Sequence, residues 1–482
     1  MTDLGKILSC IGAVILLSGC ASMKEITDYV TPSFLQSAEE FQIIDDTDAF
    51  YKTAEPVAAW WDKFDDPIMS ALVQQSLDTN LDVRVALANL EEARAIARAS
   101  GYDYFPTVTS GASYARTRLT ERGVSGASAD RTVNLHQAGF DANWELDLFG
   151  RVSQGIAAEK ARADAALSGL QDIYVSVAAE TARTYIDLRG AQYRLDIARR
   201  NTENQQETYD LTLRLAEGGR ATALDTARAQ TQLDLTRATI PPLEAAVQAT
   251  IHRLSVLTGQ LPDALAADLK DHKMLPSLPD SVYIGTAAEL LKRRPDIRSA
   301  ESTLAAAVAS YNISVTELFP VVSFTGTIGY SATDFADIGN SSALTWSAGP
   351  SISWRAFDIA RVRQEIKRDD ARAMAALALY EKTILTALEE VKTSMSDYTQ
   401  EEKRRAILRG AAASSQKAAE IARIRFDQGV DGFLDVLDSE RTRLQAEDSL
   451  AQSEIGAALD LIAIYKALGG GWQIKSPYVA EQ

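Results

Sequence analysis

The spacing of apolar residues changes twice along the chain, and in the same order both times. It starts at a helical period, turns to strict alternation, and returns to a helical period for a very long run. The clearest such run goes from Arg361 to Phe426, with no proline and only one glycine, Gly410, inside it. At about 1.5 Å per residue it predicts a helix about 100 Å long. That is far beyond the helices of ordinary globular domains. A tight turn from Ile424 to Asp438 ends the run, and a second helical run continues from Leu434 to about Leu468. The pattern predicts a rod whose tip is that turn.

The tip occurs twice. Leu213 to Asp225 precedes it by 210 positions, with Gly219 matching Gly429, Leu224 matching Leu434 and Asp225 matching Asp435. Trp144 and Arg151 match Trp354 and Arg361 at the same offset. Further upstream the offset is 214: Asp82 and Arg84 match Asp296 and Arg298, and Phe105-Pro106 matches Phe319-Pro320. The four extra residues of the first copy are expected near residues 115–137. The chain is a two-fold repeat of one large unit rather than a solenoid.

Between the helical runs, alternation marks four strands. Val322, Phe324, Gly326, Ile328 and Tyr330 alternate with Ser323, Thr325, Thr327 and Gly329. Leu344, Trp346, Ala348, Pro350, Ile352 and Trp354 alternate with small polar residues. In the first repeat Ala138 to Leu146 alternates likewise, and Thr107 to Arg118 is the weakest strand, anchored by Tyr114. Strands of roughly 9–11 residues are long enough to cross a bilayer when tilted. Trp144, Trp354 and Tyr330 stand near strand ends, where an aromatic girdle belongs. A soluble sandwich with one wet face would show the same alternation. The membrane reading is favoured because only two hairpins exist, each fed by a helix too long for a sandwich.

In each repeat two shorter helical runs sum to the length of the long one. Ala71–Tyr102 with Thr222–Thr258 sums to about 104 Å against about 98 Å for Arg151–Leu215; Thr286–Leu318 with Leu434–Leu468 sums to about 102 Å against about 100 Å. The shorter runs are therefore expected to stack end to end beside the long helix. Ile384, Leu388, Val391, Met395 and Tyr398 repeat at 4,3,4, and Tyr174, Ala178, Thr181, Tyr185 and Leu188 keep that spacing. This is a coiled-coil seam. Pro241-Pro242 should break or kink the return helix of the first repeat. Residues 21–67 look irregular, and Gly259 to Gly285, with Pro262, Pro276 and Pro279, reads as a surface linker.

The net charge of −17 argues against a nucleic-acid partner, which needs a basic face. Lys6 followed by an apolar run from Ile7 to Leu17 reads as a leader too short to span a bilayer. Leu17-Ser18-Gly19-Cys20 then resembles the lipobox of bacterial lipoproteins, which implies a lipid on Cys20. Ala21 rather than Asp follows, and in that pattern implies delivery to the outer membrane. Cys10 lies in the leader, so the mature chain would carry no disulfide. No phosphate-binding loop, dinucleotide fingerprint or zinc motif is present, and His136, His252 and His272 are scattered. No enzyme, metal or cofactor is expected beyond the covalent lipid. A purely structural lipoprotein rod is the competing reading, but it would need neither alternating strands nor a duplicated tip.

Four strands cannot close a barrel, which needs about 8. An open edge in lipid leaves unpaired amides. The chain should therefore oligomerise; twelve strands from a trimer leave a lumen, which suits the small polar residues of one face. The lipobox, Trp144-Glu145-Leu146-Asp147-Leu148-Phe149-Gly150-Arg151, the two Phe-Pro strand starts and the two Gly-x4-Leu-Asp tips together resemble the TolC-type outer-membrane efflux channels, in their lipidated NodT/OprM-like branch. The resemblance runs from Cys20 to Trp472. It implies a mainly α chain with a membrane β-hairpin pair, long coiled-coil-like helices in a periplasmic α-barrel, and four strands per protomer in a trimeric twelve-stranded β-barrel. It further implies a homotrimer, a periplasmic adaptor, an inner-membrane pump commonly of the RND type, and passive export of small molecules; a type I secretion duct for proteins is the alternative.

The map that follows is a leader 1–19, a lipidated segment 20–67, a first repeat 68–258 with its hairpin at about 105–146, and a linker 259–285. A second repeat 286–472 has its hairpin at about 320–354, and 473–482 is a tail. Leu434, Asp438 and Arg441 share one helix face, with Leu224, Arg228 and Thr231 on the equivalent face of the first repeat. Asp438 and Arg228 make a charge-complementary pair of positions. The resemblance implies that residues matching Leu434, Asp438 and Arg441 constrict the periplasmic aperture, to which Leu224 and Arg228 are added from the first repeat. The turns Gly218-Gly219-Arg220 and Gly429-Val430-Asp431 are the candidate adaptor-docking tips.

Overall fold

The computed structural model describes residues 23–29, 32–43, 50–54, 57–118, 132–279 and 281–473. The leader and Cys20 lie outside the described residues. In chain order the elements are α1 (Pro32–Glu39), β1 (Tyr51–Thr53), α2 (Pro67–Thr79), α3 (Leu81–Gly101), β2 (Thr107–Arg118), β3 (Thr132–Leu146), α4 (Arg151–Glu217), α5 (Ala223–Arg237), α6 (Ile240–Leu257), α7 (Ala266–Leu269) and β4 (Val282–Ile284). They continue as α8 (Ala287–Arg293), α9 (Pro295–Thr316), β5 (Val321–Ala332), β6 (Leu344–Ser353), α10 (Ile359–Asp427) and α11 (Phe433–Ala467). Two compact units result. One comprises Met1–Pro32, Leu90–Ala166 and Ser299–Glu381; the other comprises Ser33–Asn89, Leu167–Arg298 and Lys382–Gln482.

The first unit holds an antiparallel sheet of order β2-β3-β5-β6. Thr107 lies opposite Asn143, and Val321 opposite Ser353. These pairs are related by the offsets 214 and 210, so both hairpins share one register and the four extra residues fall between Arg118 and Thr132. The alternation aligns across strands: Phe140, Ile328 and Trp346 lie side by side, as do Trp144, Phe324 and Pro350. This apolar row is exposed, with Trp346 74% exposed. Asp141, Thr327 and Ser347 line up on the opposite, polar face, followed by Asn143, Thr325 and Gly349. Among the described residues the outer edges of β2 and β6 have no partner strand. No described helix is long and apolar enough to cross a membrane; the sheet is the part patterned for lipid.

The two matched tryptophans do the same work in each repeat. Trp144 Nε1 donates to the Tyr104 carbonyl at 2.9 Å, and Trp354 Nε1 to the Leu318 carbonyl at 3.1 Å. Residues 104 and 318 are again 214 apart. Each indole thus ties the end of one strand to the turn that starts its partner.

In the second unit every seam residue predicted on α4 and α10 is buried. The end-to-end stacking is also present. Asn80 Nδ2 donates to the Leu257 carbonyl at 2.9 Å, and Arg294 Nη1 to the Ala467 carbonyl at 2.7 Å. Residues 80 and 294, and 257 and 467, are repeat equivalents, so each return helix ends against the start of α3 or α9.

Four expectations are corrected here. The first short run is two helices, because Asn80 is extended and caps α3 by accepting from Asp82 N at 2.8 Å. The corresponding run of the second repeat breaks at Arg294, which the following Pro295 keeps out of the helical region. The irregular segment 21–67 contains core: Trp60, Trp61 and Phe64 are buried, and Trp60 stacks on Tyr465 at 5.1 Å. The linker is no bare surface loop, since β4 pairs in parallel with β1 and buries Val282 and Ile284. Leu269 and Asp271 carbonyls also accept from Gln192 and the fully buried Arg189. Pro241-Pro242 does break the return helix. α5 stops at Arg237 and α6 restarts at Ile240, with both prolines in its first turn, where their missing N–H groups cost nothing.

Candidate functional site

Both helix-hairpin tips lie in the second unit and turn by the same mechanism. Gly219 and Gly429 have φ of 71° and 72°, the left-handed conformation that glycine adopts without strain. The amides that follow close the helix ends: Arg220 N donates to the Leu215 carbonyl at 2.7 Å, and Val430 N to the Arg425 carbonyl at 2.9 Å. Beyond the turn the tips differ. Thr222 and Asp225 form a capping box at the start of α5, and those hydrogen bonds hold the Asp225 carboxyl below the ordinary carboxylate range. The second tip has Gly432 in place of Thr222 and makes no side-chain cap. There Arg425 clamps Asp431 across the turn, with Nη2 to Oδ1 at 2.8 Å, and lowers its pKa.

The tips are fixed from beneath and touch each other. Phe426 and Phe433 pack at 5.6 Å between ring centroids, with Ala229, Ala422 and Val436 completing a small buried cluster. A Cβ placed on Gly429 would come within 2.8 Å of Arg220 Nη2. Gly218, Gly219, Arg220, Gly429 and Val430 are all exposed, and Asp431 is half-buried.

Phe433 and Val436 anchor the start of α11, so Leu434 and Asp438 point away from the cluster. Leu434 is 56% exposed and Leu224 57%, large apolar side chains left mostly uncovered by the described residues. Arg441 pairs with Asp438 on the same helix at 3.5 Å. Arg228 forms no ion pair with Asp438 among the described residues; its charge instead acts on Asp225 of its own helix. The sequence brings Arg441, not Arg228, to Asp438 within one chain.

Three ion pairs between helices were not legible beforehand. Arg423 of α10 meets Glu207 of α4 at 2.7 Å, Arg194 of α4 meets Asp448 of α11 at 2.8 Å, and Arg199 of α4 meets Glu244 of α6 at 2.8 Å. The first two tie one helical hairpin to the other. The repeat hides them, because Glu207 corresponds to Lys417, Arg423 to Leu213 and Asp448 to Ala238. Positions where the copies differ in charge would have been the signal. Beside the Pro241-Pro242 break lies a cavity of about 660 Å³, lined by Thr239, Pro242, Leu243, Arg194, Arg441 and Asp448. No described group of His, Cys, Asp and Glu is arranged to hold a metal.

A chain with a lipid-patterned sheet open at both edges, very long helices and glycine-turned tips is built as one part of a membrane channel. The family model for outer membrane efflux proteins matches it twice, at residues 72–260 and 286–470. The chain belongs to the outer membrane efflux protein family. It is 29% identical to nodulation protein T of Rhizobium leguminosarum bv. viciae over 86% of this chain and 85% of that one. It is 30% identical to the outer membrane protein OprJ of Pseudomonas aeruginosa over 84% and 85%. The solved outer-membrane channel OprN superimposes with a TM-score of 0.84 at 41% identity, covering 90% of this chain and 99% of that one. The protein is a transport duct of the outer membrane with its long helices in the periplasm, and not an enzyme.

Proposed function

We propose that three copies of this chain close a twelve-stranded barrel and serve as the outer-membrane exit of a tripartite pump. The tips at Gly218-Gly219-Arg220 and Gly429-Val430-Asp431 dock on a periplasmic adaptor, and an inner-membrane pump of the RND type supplies the energy. The observation that carries this reading is the sheet, apolar on one exposed face, polar on the other and unpaired at β2 and β6. In lipid those edges must be paired, and β6 of one copy with β2 of the next satisfies both. Relatives of Pseudomonas putida are described as outer membrane proteins of solvent, toluene and antibiotic efflux pumps. They support small amphipathic molecules as the cargo here.

The detergent-solubilised protein is expected to have the mass of a trimer by light scattering. A monomer or dimer would overturn the barrel assignment.

Cys20 carries the lipid in this reading. Cys20→Ser is expected to stop incorporation of radioactive palmitate while leaving barrel insertion intact, since twelve strands anchor the trimer without an acyl chain. Labelling that persists would refute the assignment. At the aperture, three copies of Leu434 and Asp438 gather near the three-fold axis, with Arg441 compensating the acidic charge and Leu224 and Arg228 contributing from the first repeat.

A further inference from the structure

The described chain begins with a segment gripped far more closely than a tether requires. The Lys24 amide donates to Asn312 Oδ1 at 2.8 Å, and the Lys24 carbonyl accepts from Asn312 Nδ2 at 2.9 Å. One buried asparagine of α9 therefore satisfies both backbone groups of one residue, as a neighbouring strand would. The side chain is held as firmly. Lys24 Nζ pairs with Asp370 of α10 at 2.8 Å and lies 4.5 Å and 5.0 Å from the ring centroids of Tyr29 and Tyr311. Tyr29 closes the ring by donating its hydroxyl to the same Asp370 oxygen at 2.7 Å and packing edge-on against Tyr311. A cation over two aromatic faces beside a carboxylate is a specific site for that cation. The two hydrogen bonds from Lys24 and Tyr29 hold the Asp370 carboxyl below its ordinary range, so the grip persists at neutral pH.

The place of the grip matters as much as its strength. Met23 reaches the corner between β3 and α4, where a Cβ built on Gly150 would lie 3.3 Å from Met23 Cε. Leu148 and Phe149 of that corner are exposed. Two residues, Ala21 and Ser22, separate Met23 from Cys20, and the three steps reach at most about 11 Å. The corner follows directly on β3, a strand of the lipid-patterned sheet.

We propose that Asn312, Asp370 and Tyr311 form a receptor for the chain's own N-terminal segment, and that it seats the acyl chains of Cys20 against Leu148 and Phe149. The seat rests on the reading of Cys20 as lipidated; the receptor does not. It gives a lipid anchor a fixed address at the foot of the barrel, where a free tether would let it wander.

The test uses the purified full-length trimer and two readouts. Lys24 is a trypsin site, and cleavage of a closed segment follows the population of its open form. Wild type should resist cut after Lys24, while Asn312→Ala/Asp370→Ala should be cut there about tenfold faster or more. Asp370→Asn, with the trimer checked by gel filtration, guards against misfolding and should fall between the two. Equal cleavage rates in wild type and variants would overturn the receptor. For the seat, protein labelled in cells with a diazirine palmitate analogue is irradiated, and its cross-links are mapped. Cross-links on Leu148 and Phe149 that disperse in the double variant support it, and cross-links elsewhere in wild type overturn it. If no label reaches Cys20, the lipidation reading and the seat fall together, and the trypsin result still decides the receptor.

Discussion

Replacing Gly219 or Gly429 by a bulky residue such as valine is expected to abolish efflux while the trimer stays folded. Both glycines sit in the left-handed region, so a side chain costs about 1–2 kcal/mol in backbone strain. At Gly219 nothing lies within 4 Å of an added Cβ. At Gly429 the nearest atom is the mobile end of Arg220, which can turn aside. Neither change reaches the buried Phe426–Phe433 cluster that holds the hairpins together. The damage is therefore confined to the exposed surface proposed to receive the adaptor. Drug sensitivity should rise to that of a deletion strain with trimer abundance unchanged. Sensitivity at the wild-type level would show that the tips are not the docking surface.

The second large effect is expected at the aperture. In the proposed trimer three copies of Asp438 would approach one axis and repel, and Arg441, 3.5 Å away on the same helix, would be the available counter-charge. Both side chains are mostly exposed, so each pair is worth only about 0.3–0.5 kcal/mol. A pair confined to one helix contributes equally to the open and closed states, so the charge contribution to gating is what Asp438 and Arg441 make across the three-fold axis, where about 1.4 kcal/mol in total changes the ratio tenfold. Asp438→Ala with Arg441→Ala should therefore raise open time or conductance, and Leu434→Ala should add to it by widening an apolar ring. If closure is mainly apolar, Leu434→Ala alone will produce the rise, and the charge variant will change ion selectivity only.

Much of this was legible in the sequence because repetition and period are strong signals. The strand alternation placed Phe140, Ile328 and Trp346 on one face, and the observed registers align them. The 4,3,4 seam of α10 and its copy on α4 is buried at every position. What escaped was decided by contacts between distant parts of the chain. Trp60 looked like part of an irregular lead-in, yet it stacks on Tyr465, some four hundred positions later. Arg294 lies inside a run with a helical pattern, and the Pro295 beside it is the local signal that stops the helix there. Within one chain Asp438 pairs with Arg441, because a partner three residues along a helix needs no tertiary alignment. The tip turns were recognisable from their glycines. Their differing reinforcement, a Thr222–Asp225 box in one and an Arg425–Asp431 clamp in the other, depends on side-chain geometry that spacing does not reveal.

The central claim is that this chain alone forms a passive duct whose closed end is set by Leu434, Asp438 and Arg441. Single-channel recording of the purified protein in planar bilayers, with no adaptor, pump or nucleotide present, tests it most directly. The account predicts discrete conductance steps that are small in wild type and larger or longer-lived in Asp438→Ala/Arg441→Ala/Leu434→Ala. Bilayers that stay silent with the inserted triple variant would contradict it.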